Sequence, residues 1–129
     1  MKITIETISH HRQNYPTVGD WHFERNGDLE IKVSDMGNWK MEFLVGLHEA
    51  IEAVLCKDRK IAEEDVTNFD IEFEKLRSLC PEIIGDMECG DMSSAPYKIE
   101  HEIATKLERW IAMELKVNWN DYNNKVNSL

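Results

Sequence analysis

The sequence predicts an α+β fold in which a three-stranded, mainly antiparallel sheet comes first and three or four helices follow. Two observations indicate this order. Three segments within residues 1–34 alternate apolar and polar side chains, which is the period of a half-buried strand, and residues 9–20 between the first two are expected to form a loop. Apolar residues recur at helical spacing after residue 38. A chain of 129 residues suits one domain, because two cores of half this size would each be too small to be stable. We therefore expect a single domain over 1–129.

Three alternating segments make up the predicted sheet in residues 1–34. Their apolar members are Ile3 and Ile5, then Trp21 and Phe23, then Leu29, Ile31 and Val33. Asn26-Gly27 separates the second segment from the third, and this dipeptide favours a tight hairpin because both of its positions adopt positive φ. The alternation predicts a sheet with one apolar face.

The helical part is expected to begin after Ser34 and Asp35, either of which can cap a helix. The spacing predicts a central helix over 38–57, a second helix over 63–77, a third helix over 96–115, and a short helix in the tail after residue 118. Residues 80–95 contain glycines and a proline and are expected to form a long loop, as a lid or a partner-binding segment. The acidic residues of this loop, Asp86, Glu88 and Asp91, have no EF-hand spacing, so we expect them to be solvated rather than bound to Ca²⁺.

The composition argues against several classes of protein. Lys and Arg number 15 and Asp and Glu 25, so the net charge of −10 repels nucleic acid and anionic membranes but can attract a basic partner or a cation. No apolar run approaches the ~20 residues that span a bilayer, and the alternating, charged N-terminus is unlike a secretory signal. Three cysteines without a C-x-x-C pair argue against a disulfide framework and predict reduced thiols in the cytoplasm.

Two of the predicted helices carry ionisable side chains within their apolar faces. At about 100° per residue, His48 and Glu52 of the central helix project among its apolar positions, and Glu49 lies at the edge of that face. The third helix also has ionisable side chains among its apolar positions, namely His101, Glu100 and Glu108. Asp70, at the edge of the apolar face of the second helix, is a weaker candidate.

A buried carboxylate needs a compensating partner, because leaving it unpaired is strongly unfavourable. A divalent ion is one possibility, since a His and a Glu at positions i and i+4 project from one helical face and can bind one cation together. A buried polar network that ties the two helices is another; it would consist of His48, Glu52, His101 and Glu100. Partial exposure of both helices is the third, and the sequence leaves all three open.

The segment His48-Glu49-Ala50-Ile51-Glu52 resembles the H-E-x-x-H signature of the zincin metallopeptidases, and the order of sheet, signature helix and later helix is similar too. In that family the two signature histidines bind zinc, the glutamate between them activates water, and a third ligand comes from downstream. The resemblance implies that His48 is a ligand and Glu49 the base, that Glu52 replaces the second histidine, and that His101 is the third ligand. Such a set suits zinc, iron or manganese.

Two hypotheses about function follow. In the first, the chain is a metal-dependent, hydrolase-like domain with zinc or a related divalent ion on His48, Glu52 and His101, and Glu49 polarises a bound water. In the second, the chain is an acidic accessory protein that binds a basic protein partner, with the 80–95 loop in the contact surface. The whole chain also resembles small proteins of phage and prophage type, a likeness that by itself implies no function. Burial of His48 and Glu52 would favour the first.

Overall fold

The structure, a computed structural model that describes residues 1–129, has the predicted α+β architecture, with the strands before the helices. The strands are β1 (Ile3–Ile8), β2 (Gly19–Phe23) and β3 (Leu29–Ser34). The helices are α1 (Trp39–Asp58), α2 (Glu63–Leu79), α3 (Pro81–Ile84), α4 (Lys98–Glu114) and α5 (Trp119–Asn127). Helices α1, α2 and α4 are the predicted central, second and third helices. None of the helices combines the length and the apolar character that crossing a bilayer requires.

The sheet is mixed, with one antiparallel and one parallel pair of strands in the order β1-β3-β2. Strand β2 pairs antiparallel with β3 through the predicted Asn26-Gly27 turn. Gly27 has a φ of 92°, but Asn26 does not have a positive φ, which corrects the expectation for both positions. Strand β1 pairs parallel with β3, so that Ile5 lies opposite Ile31. The connection between β1 and β2 carries the chain to the far edge of the sheet. Because β3 then returns beside β2 into the middle, it runs in the same direction as β1.

Helix α1 covers one face of the sheet and forms the core with it. Leu29, Ile31 and Val33 of β3 and Leu44 of α1 are all buried to 1% exposure or less. The helix approaches β1 closely at Gly46, where a Cβ atom would lie 2.8 Å from Cγ2 of Ile5. The other long face of α1 packs along α4, so the side chains of these two helices meet in the interior.

The N-cap of α1 is Asn38 and not Ser34 or Asp35, which corrects the sequence-based expectation. The Asn38 side chain accepts hydrogen bonds from the backbone N–H groups of Lys40 and Met41. Ser34 is still the last residue of β3, because its backbone N–H donates to the carbonyl of Val18 at 2.8 Å. Pairing in the sheet therefore holds Ser34 in extended backbone.

The segment 80–95 is partly helical instead of being a loop throughout. It contains the short helix α3, which begins at Pro81, and a 3-10 turn at Cys89–Asp91, called the 89–91 turn below. This turn packs against α4 and α2. Asn118 is the N-cap of helix α5, and its side chain accepts a hydrogen bond from the backbone N–H of Asp121. Both segments lie beside the site described next.

Candidate metal centre

Three potential ligand atoms from α1 and α4 form a small triangle in the protein interior. Nε2 of His48 lies 3.0 Å from Nδ1 of His101 and 3.4 Å from Oε2 of Glu52. Nδ1 of His101 lies 3.3 Å from the same carboxylate oxygen. Both contacts of this nitrogen have hydrogen-bond geometry, so its N–H group can donate to His48 or to Glu52. The three residues are exposed by only 7, 4 and 5%, respectively. His48 and Glu52 share one face of α1 because they are one helical turn apart, and the packing of α4 on α1 adds His101.

The dimensions of this triangle fit a metal ion with tetrahedral ligands. Two ligand atoms that each lie about 2.1 Å from a tetrahedral zinc ion are about 3.4 Å from each other. The measured edges of 3.0, 3.3 and 3.4 Å are close to that value. The buried group formed by His48, Glu52 and His101 could therefore bind a divalent metal ion. Three protein ligands leave a fourth tetrahedral position for water or substrate.

Contacts behind the triangle fix the orientation of His48. Its Nδ1 lies 2.8 Å from Oε2 of Glu108. The other oxygen of Glu108 accepts a hydrogen bond from the hydroxyl of Tyr122 on α5, at 2.5 Å. A carboxylate at Nδ1 favours the tautomer with its proton on that atom, which leaves the lone pair of Nε2 directed into the triangle.

The other two members of the triangle also have neighbours behind them. The indole N–H of Trp21 donates to Oε1 of Glu52 at 3.1 Å, so Oε2 remains available to the triangle. Nε2 of His101 lies 3.0 Å from Oε2 of Glu88 and 3.4 Å from Oδ1 of Asp91, both in the 89–91 turn region. Neither contact has the alignment of an N–H···O hydrogen bond, and Nε2 is a buried atom without a hydrogen-bond partner.

The triangle has one available hydrogen-bond donor, the Nδ1–H group of His101, which lies within reach of two acceptors. With the proton of His48 on Nδ1, its Nε2 can only accept, and the carboxylate of Glu52 also only accepts. Burial by itself lowers the pKa of His48, but the carboxylates of Glu108 and Glu52 outweigh it and raise that pKa well above its ordinary value. The pKa of His101 is raised to about 9, because Glu52 and Glu88 outweigh the opposing effect of burial. A divalent ion bound to the same three atoms would replace the proton on Nδ1 of His101.

Glu49 lies beside the triangle and lines the same cavity, which has a volume of about 500 Å³ and is also lined by His48, Glu52 and His101. Its half-buried side chain packs on β2, where a Cβ atom at Gly19 would lie 2.7 Å from Cγ of Glu49. Burial and the negative charge of Glu52 raise the pKa of Glu49 well above its ordinary value. A carboxyl group with a raised pKa is a stronger base than an ordinary glutamate.

A second carboxylate, Asp70 of α2, lines the same cavity. It accepts hydrogen bonds from the hydroxyls of Tyr15, at 3.1 Å, and Tyr97. Burial and the charge of Glu52 raise its pKa to about 7, although the two tyrosines oppose the shift. The ring of Tyr97 lies between this carboxylate and the triangle, with its centroid 6.2 Å from that of His101. The polar wall of the cavity is thus continuous with the candidate metal ligands.

Glu100 is not part of this network, which corrects the expectation that it would join His48, Glu52 and His101. It is buried, but its carboxylate accepts a hydrogen bond from Nη1 of Arg59 at 2.5 Å, just beyond the end of α1. Adjacent residues on a helix point about 100° apart, so Glu100 and His101 face different surroundings. Glu108, two turns after His101, is the carboxylate of α4 that reaches the cluster.

Four residues at the site were not singled out from the sequence as site residues: Trp21, Glu88, Asp91 and Tyr122. Trp21 has the pattern of a core residue, and Tyr122 lies in a tail whose position is set only by packing. The 89–91 turn reaches His101 because Gly90 lies on the imidazole: a Cβ atom there would be 2.2 Å from Cγ of His101. An isolated glycine in a polar segment gives no sequence signal of such a contact.

No protein-family model matches the chain, and neither a curated protein nor a solved structure does. The resemblance to zincins therefore depends on the His48-Glu49-x-x-Glu52 segment and the order of elements alone. The metal-binding capacity is inferred from the geometry of the site itself.

Proposed function

We propose that the protein is a divalent-metal-dependent, hydrolase-like enzyme whose ion is held by His48, Glu52 and His101. The observation that carries this proposal is the triangle of three buried ligand atoms, which all lie within 3.4 Å of one another. Zinc is the proposed ion, because two imidazoles and one carboxylate are a frequent ligand set of catalytic zinc sites. Iron and manganese also suit these ligands.

The protein side chains contribute orientation and proton transfer. Glu108 and Trp21 hold His48 and Glu52 in place through hydrogen bonds of 2.8 and 3.1 Å. When bound, a divalent ion supplies Lewis acidity, which acidifies water and polarises a substrate oxygen. Glu49, in the wall of the same cavity, takes the proton of the attacking water and returns it to the leaving group. Its raised pKa suits both steps.

The proposal is tested first by metal analysis of protein purified without chelator and without a histidine tag. We expect about one tightly bound equivalent of zinc, iron or manganese by mass spectrometry. His48→Ala and His101→Ala should each lose it. His22→Ala is the matched control, because His22 is exposed and lies beside Glu63, at 2.6 Å, on the protein surface. A metal-free protein with a melting temperature that neither zinc nor chelator changes would refute the proposal.

Hydrolysis is tested on the metal-loaded protein with panels of peptide and ester substrates. Glu49→Gln keeps the size of the side chain but removes its basicity, so we expect turnover to fall by about 10²–10⁴-fold while the metal content stays unchanged. Equal turnover in the variant and the parent protein would exclude Glu49 as the base. Loss of metal in the variant would instead make Glu49 part of the binding site.

A second candidate function, binding to a basic protein partner, is favoured by the exposed surface around α3. Leu79 and Ile83 are 77 and 80% exposed there, next to the acidic side chains of Glu82 and Asp86. The net charge of −10 would steer a basic partner towards the protein. Glu49→Gln separates the two functions, because it removes turnover and leaves this surface unchanged.

A further inference from the structure

The imidazole of His101 presents its second nitrogen to another group of potential ligands. While Nδ1 belongs to the triangle, Nε2 lies 3.0 Å from Oε2 of Glu88 and 3.4 Å from Oδ1 of Asp91. The His101 side chain is 94% buried, being exposed by only 6%, and Nε2 has no hydrogen-bond partner. A buried nitrogen that points at two carboxylates without an aligned hydrogen bond requires an explanation.

The two carboxylates are held in place by the 89–91 turn itself. The backbone N–H of Glu88 donates to Oδ2 of Asp91 at 3.2 Å, and the Glu88 side chain accepts from the backbone N–H of Asp91. Gly90 allows this turn to lie directly against the imidazole. Both carboxylate side chains are about half exposed, at 45 and 51%, so an ion can reach them from solvent.

The distances at Nε2 are compatible with shared coordination of one ion. Two ligands of one tetrahedral ion lie about 3.4 Å apart. The contacts of 3.0 and 3.4 Å at Nε2 are close to this spacing. Glu88, Asp91 and His101 also lie close enough together to hold one ion.

We propose that Glu88, Asp91 and Nε2 of His101 form a second divalent-cation site, so that one imidazole bridges two ions. This inference depends on the proposed function, since the first ion occupies the triangle at Nδ1. When both sites are filled, the N–H bond of His101 breaks, its proton passes to solvent, and the nitrogen lone pair binds the second ion. Two carboxylates and water complete a site for zinc or manganese.

The second ion ties the 89–91 turn to α4. The two ions lie on opposite sides of an imidazole ring, which places them farther apart than the about 4 Å of metal pairs that activate one shared water. The second site therefore acts by holding the cavity wall formed by Glu88, Cys89 and Gly90 against His101. Because its carboxylates are half exposed, it binds its ion more weakly than the buried triangle does.

The test is a titration of metal-free protein with Zn²⁺, followed by native mass spectrometry and by competition with a chromophoric chelator. We expect two equivalents, the second weaker than the first. The double variant Glu88→Gln/Asp91→Asn should bind one equivalent with the affinity of the first site, since both amides keep an oxygen that accepts the turn's hydrogen bonds. The control Glu82→Gln/Asp86→Asn removes the same charge from the same segment and should bind two equivalents.

Variants of the triangle separate this proposal from the proposed function. His48→Ala should lose the tight equivalent and keep the weak one, whereas His101→Ala should lose both. A single equivalent in the parent protein, unaffected by the double variant, would overturn the second site and leave the proposed function standing. A second equivalent that persists in the double variant would also overturn it, and absence of all binding would overturn both proposals. Circular dichroism of each variant establishes that the fold is retained.

Discussion

Nδ1 of His48 lies 2.8 Å from Oε2 of Glu108, across the interface between α1 and α4. The same carboxylate accepts a hydrogen bond from the hydroxyl of Tyr122. Glu108 therefore connects three helices, α1, α4 and α5. Side chains behind a metal-binding histidine set its tautomer and its orientation. The ligand geometry at the triangle therefore depends on the packing of helices that are far apart in the sequence.

Glu108→Gln is expected to weaken metal binding without removing the site. The amide oxygen can still accept from Nδ1 of His48, but the negative charge that makes this imidazole a better ligand is lost. We expect a decrease in zinc affinity of about 10–100-fold, measured by competition with a chromophoric chelator. Glu102→Gln, on the exposed side of the same helix, is the control and should leave the affinity unchanged. Equal affinities in the two variants would exclude Glu108 from the site.

Trp21→Phe is expected to remove the hydrogen bond to one carboxylate oxygen of Glu52. The variant removes the indole N–H that donates to Oε1 at 3.1 Å and leaves a buried carboxylate oxygen without its partner. We expect the free energy of unfolding to fall by about 1–3 kcal/mol and zinc binding to weaken. Trp39→Phe is the matched control, because Trp39 is 67% exposed and should change stability by less than about 0.5 kcal/mol. Similar losses in both variants would contradict this role of Trp21.

Gly19→Ala tests the position of Glu49 separately from its charge. A methyl group at this residue would lie 2.7 Å from Cγ of Glu49, so the glutamate side chain must move. We expect turnover to fall while the metal content stays at the parent value, because the three atoms nearest to this methyl group all belong to Glu49 and none to the triangle. The comparison is made by metal analysis and by assay of the same preparation. Unchanged turnover would show that the placement of Glu49 against β2 is irrelevant to the reaction.

The pH dependence of stability is expected to differ between metal-free and zinc-loaded protein. The pKa of His101 is raised from 6.5 to about 9, so its contribution to metal-free stability is complete below pH 6.5 and is lost as the pH rises through 9. The pKa of Asp70 is raised to about 7, so the stability that this carboxyl group contributes is also lost as the pH rises. Zinc competes with the histidine protons, and its affinity therefore increases over this interval.

Thermal melting between pH 6 and 9 measures both effects. The melting temperature of the metal-free protein should fall as the pH rises, and the increase caused by zinc should become larger. His101→Ala should show a shallower dependence in the metal-free state and no response to zinc. A metal-free melting temperature that rises steadily to pH 9 would contradict protonation of the triangle.

Local patterns in the sequence were sufficient to predict the strands and helices that carry the site. Alternation over 1–34 and helical spacing from residue 38 predicted the strands and the long helices, because burial of one face imposes a period of 2 or 3.6. Asn26-Gly27 predicted the hairpin, although only Gly27 of the pair has a positive φ. His48 and Glu52 share a face for the same short-range reason, as they are one turn apart on one helix.

Only the tertiary structure decided how these elements meet. The parallel pairing of β1 with β3 follows from the path of the chain around the sheet, and alternation is the same for either direction of pairing. Helical spacing placed Glu100 and Glu108 alike on an inward face, yet the register of α4 against α1 directs Glu108 to His48 and Glu100 to Arg59. The approach of Glu88 to His101 depends on the contact made by Gly90. Such contacts depend on how many side chains from distant segments pack together, and the periodicity within one segment does not predict this packing.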